Sequence, residues 1–318
     1  MALNEVIDTL PRPPVQGALG KVARRRKRHV PSTSDPRAEL QLLTKQHKAW
    51  TRKAVAIEAM ASDRLNHETG ETIKCDLPED VREQMMAVSR GLAREAKSLE
   101  TAMTRSLREI PIYDRFLRHV FGFGPVVCAY LVSEVDIRKA EKPSNLRRFC
   151  GLAVIDGRLE RPTPGQKNGF SKEMRTRLYQ AFSAMWKNAA KGDGCTTKYL
   201  DVWRNTIHRL EHSERVLDRG LDRDGKWTGR IVNGQGRKVS ARGFAFSTGW
   251  HKAADVLLED LYIVWRALEG LPVWPSYYAA KLGYEHGGKI SVNAPRLLSV
   301  DEALAIVGEM GKRPVVRG

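Results

Sequence analysis

Two long apolar stripes, stepped by three and four residues, constrain this chain more than anything else in it. Leu40, Leu43, His47, Trp50, Ala54, Ile57 and Ala61 form the first; Val81, Met85, Val88, Leu92, Leu99, Met103, Ser106 and Ile110 form the second. Such steps keep side chains on one face of an α-helix, so each stripe predicts a helix with one buried side. Asp35-Pro36 supplies an N-cap and an N1 proline, "NHETGET" interrupts the pattern, and the second stripe lies between Pro78 and Pro111. Two long helices over 35–111 follow, either as an antiparallel hairpin or as a coiled coil that pairs two chains into a homodimer through 36–110.

From Tyr113 to about Ala190 shorter helices are expected around one long polar loop, Ile155 to Gly169. "TTKYLDVWRNTIHRLEHSERVL" places Tyr199, Leu200, Trp203, Ile207 and Leu210 on one face. "WHKAADVLLEDLYIVWRALEG" carries Ala253, Val256, Leu257, Leu261, Val264, Trp265 and Leu268 on one apolar side and ends at Gly270. Between them, Asn233-Gly234 predicts a β-hairpin turn joining Arg230-Ile231-Val232 to Arg237-Lys238-Val239. Ser299-x-x-Glu302 is a capping box for one short final helix. The expected fold class is mainly α with a small β-hairpin insertion. Its parts are a flexible basic arm at 1–34, the paired helices at 35–111, a helical domain at 112–270 with an insertion at about 211–248, and an extension at 271–318.

Charge narrows the partner. Lys+Arg 54 against Asp+Glu 37 leaves +17, a field that draws nucleic acid or an anionic membrane surface. "KVARRRKRH" at 21–29 reads as an arm lying along phosphates, or as a solvated tail. No stretch approaches ~20 apolar residues and the N-terminus lacks a signal-peptide core, so a cytoplasmic, nucleoid-associated protein without a membrane partner is expected. The four cysteines form no CxxC pair and read as free thiols. No phosphate-binding G-x-x-x-x-G-K motif is present, and no cofactor is expected. His208-x-x-Glu211-His212 has the spacing of an inverted zinc-peptidase motif but lacks a third ligand, so no metal is assigned. Asp255, Glu259 and Asp260 read as a polar helix side pairing with Lys252 or arginines, and Trp274, Tyr277 and Tyr278 as packed on the helical body or stacked on bases.

The most pointed motif is "VFGFGPVVCAYLVSEV" at 120–135. Gly122 and Gly124 permit positive backbone angles and remove side chains where another backbone must approach, while Pro125 opens a new helix. The N–H groups at that helix start suit a phosphate oxygen, making Gly122, Gly124 and Val126 candidate backbone contacts. A corner between two helices with glycine packing is the alternative. Arg115, Arg118 and His119 before the turn, and Arg138, Lys139, Lys142, Arg147 and Arg148 after it, favour nucleic acid.

These residues also carry a family resemblance. Gly122-Phe123-Gly124-Pro125, the acidic Glu134 ending an apolar helix, the Leu146–Leu152 stretch with Phe149, Gly151 and Leu152, and Gly169-Phe170-Ser171-Lys172 are similar to the C-terminal domain of IS one-ten type insertion-sequence transposases, the bridge-RNA-guided recombinases. "HKAADVLLEDLYIVWRAL" resembles that domain's closing helix, and 36–110 matches the place of its dimerising coiled coil. The resemblance covers about 36–270 and is specific at 121–190. It implies a helix-hairpin-helix transposase-type domain that binds DNA, with a guide or structured RNA as a further partner. On it, Arg147, Arg148, Arg158, Arg161, Lys167, Lys172, Arg175 and Arg177 would line the strand path.

The family's RuvC-like nuclease domain has no room before Pro36, so a nuclease subunit supplied separately is expected. The family's loop serine is also missing: "VIDGRLERPTPGQKNGFSK" offers only Thr163, nearest the nucleophile's place, and Ser171, where an N-cap role suffices. The leading expectation is therefore a DNA-binding protein of transposition or recombination type that is not catalytic alone. A minimal recombinase acting through Thr163 or Ser171, and a basic scaffold whose coiled coil recruits a protein, are the alternatives.

Overall fold

Four helices open on a proline, at Pro36, Pro111, Pro125 and Pro143. At a helix start the missing N–H has no intrahelical acceptor to lose, and φ is already helical. The computed structural model describes residues 35–65, 71–155, 158–160, 165, 168–189, 197–213, 230–232, 238–274 and 295–308. These are mainly helical: α1 (Pro36–Ala61), α2 (Glu79–Arg108), α3 (Pro111–Arg115), a 3-10 turn (Leu117–His119), α4 (Pro125–Glu134), α5 (Pro143–Phe149), α6 (Lys172–Ala189), α7 (Lys198–Glu211), α8 (Ala241–Leu268) and α9 (Val300–Val307). Three two-stranded antiparallel ribbons interrupt them: β1 (Arg64–Leu65) with β2 (Thr72–Ile73), β3 (Val154–Ile155) with β4 (Arg158–Leu159), and β5 (Arg230–Val232) with β6 (Lys238–Ser240).

Along α1 and α2 the contacts descend in one helix as they ascend in the other. Arg82 donates to the Ala61 carbonyl at 3.1 Å, Ser89 to the Ala54 carbonyl at 3.0 Å, and His47 lies 3.6 Å from Glu100. Leu40, His47, Ala54 and Ala61 are buried from α1, and Ser89, Ala96, Met103, Ser106 and Leu107 from α2. The α2 seam thus runs through Ser89, not Val88, which is 54% exposed. Small side chains at Ala54, Ala61, Ser89 and Ala96 leave the backbones close enough for that hydroxyl-to-carbonyl bond.

α4 and α8 form the centre. Cys128–Ser133 are all buried in α4, and Asp260–Ala267 all buried in α8. The latter starts at Ala241, twelve residues before Ala253, where the apolar stripe that marks it in sequence begins. Ser240 accepts the Gly243 N–H at 3.0 Å as N-cap, and 241–248, expected within an insertion, form its first turns. No apolar stripe betrays "ARGFAFSTG", but Gly249 there lets Trp203 of α7 lie against the helix: a Cβ would sit 2.3 Å from Trp203 Cδ1. Trp203 Nε1 donates to the Phe246 carbonyl at 3.0 Å. The β5–β6 register pairs Ile231 with Val239; Asn233 and Gly234 lie outside the described residues.

Asp260, expected on the polar side of its helix, is instead buried. It accepts from Tyr199 Oη at 2.9 Å and meets Lys198 Nζ at 2.6 Å. Burial pushes its carboxyl up to about 6, although Lys198 and Tyr199 pull the other way. Arg266 is buried and donates to the carbonyls of Pro272 at 2.6 Å, Ala140 at 3.0 Å and Ile137 at 3.3 Å. Cys75, Cys128 and Cys150 are free thiols, and burial pushes the Cys150 thiol up. No helix among the described residues is long and apolar enough to cross a membrane.

Candidate functional site

The two glycines of the Gly122-Phe123-Gly124-Pro125 turn do different work. Gly122 alone has positive φ, at 83°, and is pressed on α6: a Cβ would lie 2.8 Å from Met185 Cβ, 3.0 Å from Met185 Cα and 3.1 Å from the Ala181 carbonyl oxygen. Phe123 is buried edge-on to Phe182, centroids 5.9 Å apart. Gly124 is extended, at φ −70° and ψ 162°, and a Cβ there would meet nothing. It is the exposed N-cap of α4, its carbonyl taking the Cys128 N–H at 3.1 Å. Val126 is half-buried in the first turn, where helical N–H groups lack intrahelical partners.

Beside the other end of α4 lies a cleft of about 610 Å³ lined by α1, the end of α4 and residues 168–171. Gln41 donates to the Ser133 carbonyl at 3.1 Å, and Thr44 Oγ1 lies 3.2 Å from Ser133 Oγ. Ser171 Oγ donates to Glu134 Oε2 at 3.2 Å and accepts the Met174 N–H at 3.2 Å, while its own N–H reaches the Phe149 carbonyl at 2.8 Å. Lys48 lies 3.8 Å from Glu134 Oε1 and also pairs with Glu173, which Arg52 approaches to 3.6 Å and Arg177 to 3.9 Å. Arg177 covers the Tyr130 ring at 4.3 Å, and Tyr130 Oη meets His47 Nδ1 at 3.0 Å. Burial lowers the His47 pKa and raises that of Tyr130, so both stay neutral near pH 7.

Chemically, the hydroxyl proton of Ser171 points at a carboxylate, as a nucleophile's proton points at its base. The same oxygen caps α6, a role that satisfies a helix N–H and needs no reaction.

The other candidates are dispersed. Arg147 is 18% exposed and turned to α8, where it meets Asp255 at 3.4 Å; burial raises the Asp255 pKa and Arg147 opposes it. Arg175 donates to the Glu160 carbonyl at 3.0 Å and covers Phe170 at 5.1 Å, its pKa lowered by burial. Arg148 is 62% exposed, 4.0 Å from Glu160, and Lys172 is exposed at the start of α6. Arg158 pairs with Ile155 across the β3–β4 ribbon. Arg161, Thr163 and Lys167 lie outside the described residues, as do the arm at 1–34, Tyr277 and Tyr278. Trp274 packs beneath Lys142, 5.1 Å from its ring centroid. His208 and His212 are exposed, and Glu211 pairs with Arg242 at 3.9 Å. Among the described residues no three His, Cys, Asp or Glu side chains converge as a metal site.

Sequence reasoning missed Lys48 and Glu173, which lie on different helices and meet only through the tertiary fold. The one available signal was polar Thr44 and His47 standing on the otherwise apolar buried face of α1. No family model matches the chain, and no curated protein or solved structure matches it either.

Proposed function

We propose that this chain is a DNA-binding protein of transposition or recombination type, resembling a transposase domain without its nuclease and not catalytic alone. The observation that carries the reading is the +17 charge together with exposed Lys45 lining the Ser171 cleft and exposed Arg148 and Lys172, each next in sequence to a residue that lines it. Gly124 and Val126, at the start of α4, would give phosphate a backbone contact through helix N–H groups, positioning the protein without reading bases. Gly122 would hold that turn in place through α6. On this reading the turn is a helix-hairpin-helix element, α1 and α2 pair chains into a homodimer, and a separate subunit supplies any nuclease. A guide or structured RNA is the second polyanion these surfaces would hold.

The test is binding to labelled duplex, branched and single-stranded DNA and to structured RNA across a salt series. Affinity that falls steeply with salt supports the reading. Absence of binding, or binding indifferent to salt, overturns it in favour of a scaffold that recruits a protein.

A second reading draws on the Ser171–Glu134 hydrogen bond: a recombinase whose Ser171 hydroxyl passes its proton to Glu134 and attacks the phosphorus of a phosphodiester. A phosphoserine ester forms as the P–O bond to one strand breaks, and that strand leaves as a free hydroxyl. Loss of strand transfer in Ser171→Ala, with DNA affinity retained, would support it. Unchanged strand transfer would return Ser171 to its capping role.

A further inference from the structure

α2 carries a second basic surface, remote in character from the Ser171 cleft. Arg90, Arg94, Lys97, Arg105 and Arg108 are all exposed. At 3.6 residues per turn they fall within roughly 80° of one another around the helix, and they extend over about 27 Å of its axis. The buried residues Ser89, Ala96, Met103, Ser106 and Leu107 occupy the opposite side, against α1 and α4. Glu79 and Glu83 share the cationic face only ahead of Arg90; Glu95 and Glu100 fall to its flanks, and Glu100 turns toward His47 and Lys97. Several exposed arginines elsewhere meet carboxylates, as Arg118 does Asp114, Arg138 does Glu269 and Arg204 does Asp201, whereas exposed Arg115 and Arg209 stand singly with no ion pair among the described residues. Arg90, Arg94, Arg105 and Arg108 have no ion pair with another described residue.

We infer that this stripe binds the phosphate backbone of duplex DNA, an inference that rests on the DNA-binding reading above and adds a second contact surface to it. The length matches the axial span of about eight base pairs at 3.4 Å each. Exposed arginines fixed along a rigid helix present positive charge to the phosphate-dense surface of a duplex. Single strands are held by aromatic stacking platforms, and α2 contains no aromatic residue at all. The contact is electrostatic and indifferent to sequence.

The experiment compares the full chain with Arg90→Gln/Arg94→Gln/Arg105→Gln/Arg108→Gln, following anisotropy of a labelled duplex and of a single strand over a salt series. Glutamine matches arginine in helix propensity, and circular dichroism checks that helicity is kept. Each phosphate contact contributes about 0.9 to the slope of log affinity on log salt, so the slope should become shallower by about 3 to 4, more for duplex than for single strand. The pairs Arg90/Arg94 and Arg105/Arg108, changed separately, should each remove about half of that and serve if the fourfold variant loses helicity. An unchanged slope while the native chain binds duplex overturns the stripe and leaves the DNA-binding reading standing. An equal loss on duplex and single strand overturns the duplex assignment, and no duplex binding by the native chain overturns both.

Discussion

Gly122 and Met185 meet backbone to backbone, with room for a hydrogen atom and not for a methyl group: a Cβ on Gly122 would come within 2.8 Å of Met185 Cβ. The turn before α4 is thereby locked to the C-terminal half of α6. Gly122→Ala adds both the left-handed backbone strain and the steric overlap, and should destabilise the fold by about 2–4 kcal/mol. Denaturant unfolding checks this, and any loss of DNA binding in that variant must be read against it.

Gly124 separates the two roles of the same turn. Its side-chain space is open and its backbone extended, so Gly124→Asp fits and acts as a better N-cap for α4. Stability should hold or rise by up to about 1 kcal/mol. If the start of α4 touches phosphate, duplex affinity should drop severalfold, because a carboxylate now occupies the anion's place. Unaltered affinity would remove the turn from the proposed DNA interface.

Ser171→Ala removes an N-cap acceptor and a hydrogen bond to Glu134. The expected cost is about 1 kcal/mol, and duplex affinity should be unchanged, since the hydroxyl is engaged within the protein. Calorimetric melting with parallel binding measurements checks both.

Asp260 should give the molecule a pH signature. Its folded pKa of about 6 stands above the usual value of 3.8, so between these limits the folded state holds more proton than the unfolded. This contribution is fully present below about pH 4 and is lost as pH rises through 6, an effect on the order of 3 kcal/mol. Asp260→Asn keeps an acceptor for Tyr199 and cannot ionise. Urea titrations from pH 4 to 7 should show that variant free of this slope and no less stable than the native chain at pH 7.

How legible this was in the sequence depended on what each feature needed. The α1 stripe places Leu40, His47, Ala54 and Ala61 on the buried side because period alone fixes a helical face. Val88 and Ser89 are the opposite case: both periods are acceptable, and the choice falls to the small residue whose hydroxyl can reach the Ala54 carbonyl. Asp260 reads as polar, yet Lys198 and Tyr199, more than sixty positions away, bring it inside. Arg147 reads as a groove residue until Asp255 on α8 turns it inward. The Ser171 cleft gathers Thr44, Lys48, Glu134 and Asn168 from three separated segments, and no local period records such a meeting.

The unbroken burial of Asp260–Ala267 in α8 has a consequence in time. A helix with one wet side can open outward, a turn at a time, and its amides then trade hydrogen with water while the rest of the molecule stays closed. This stretch has no such side: α7, α9 and α5 pack against α8, and the guanidinium of Arg266 is fastened to carbonyls on either flank. Its amides reach solvent only when everything around them lets go. Their exchange therefore keeps time with the opening of the surrounding fold.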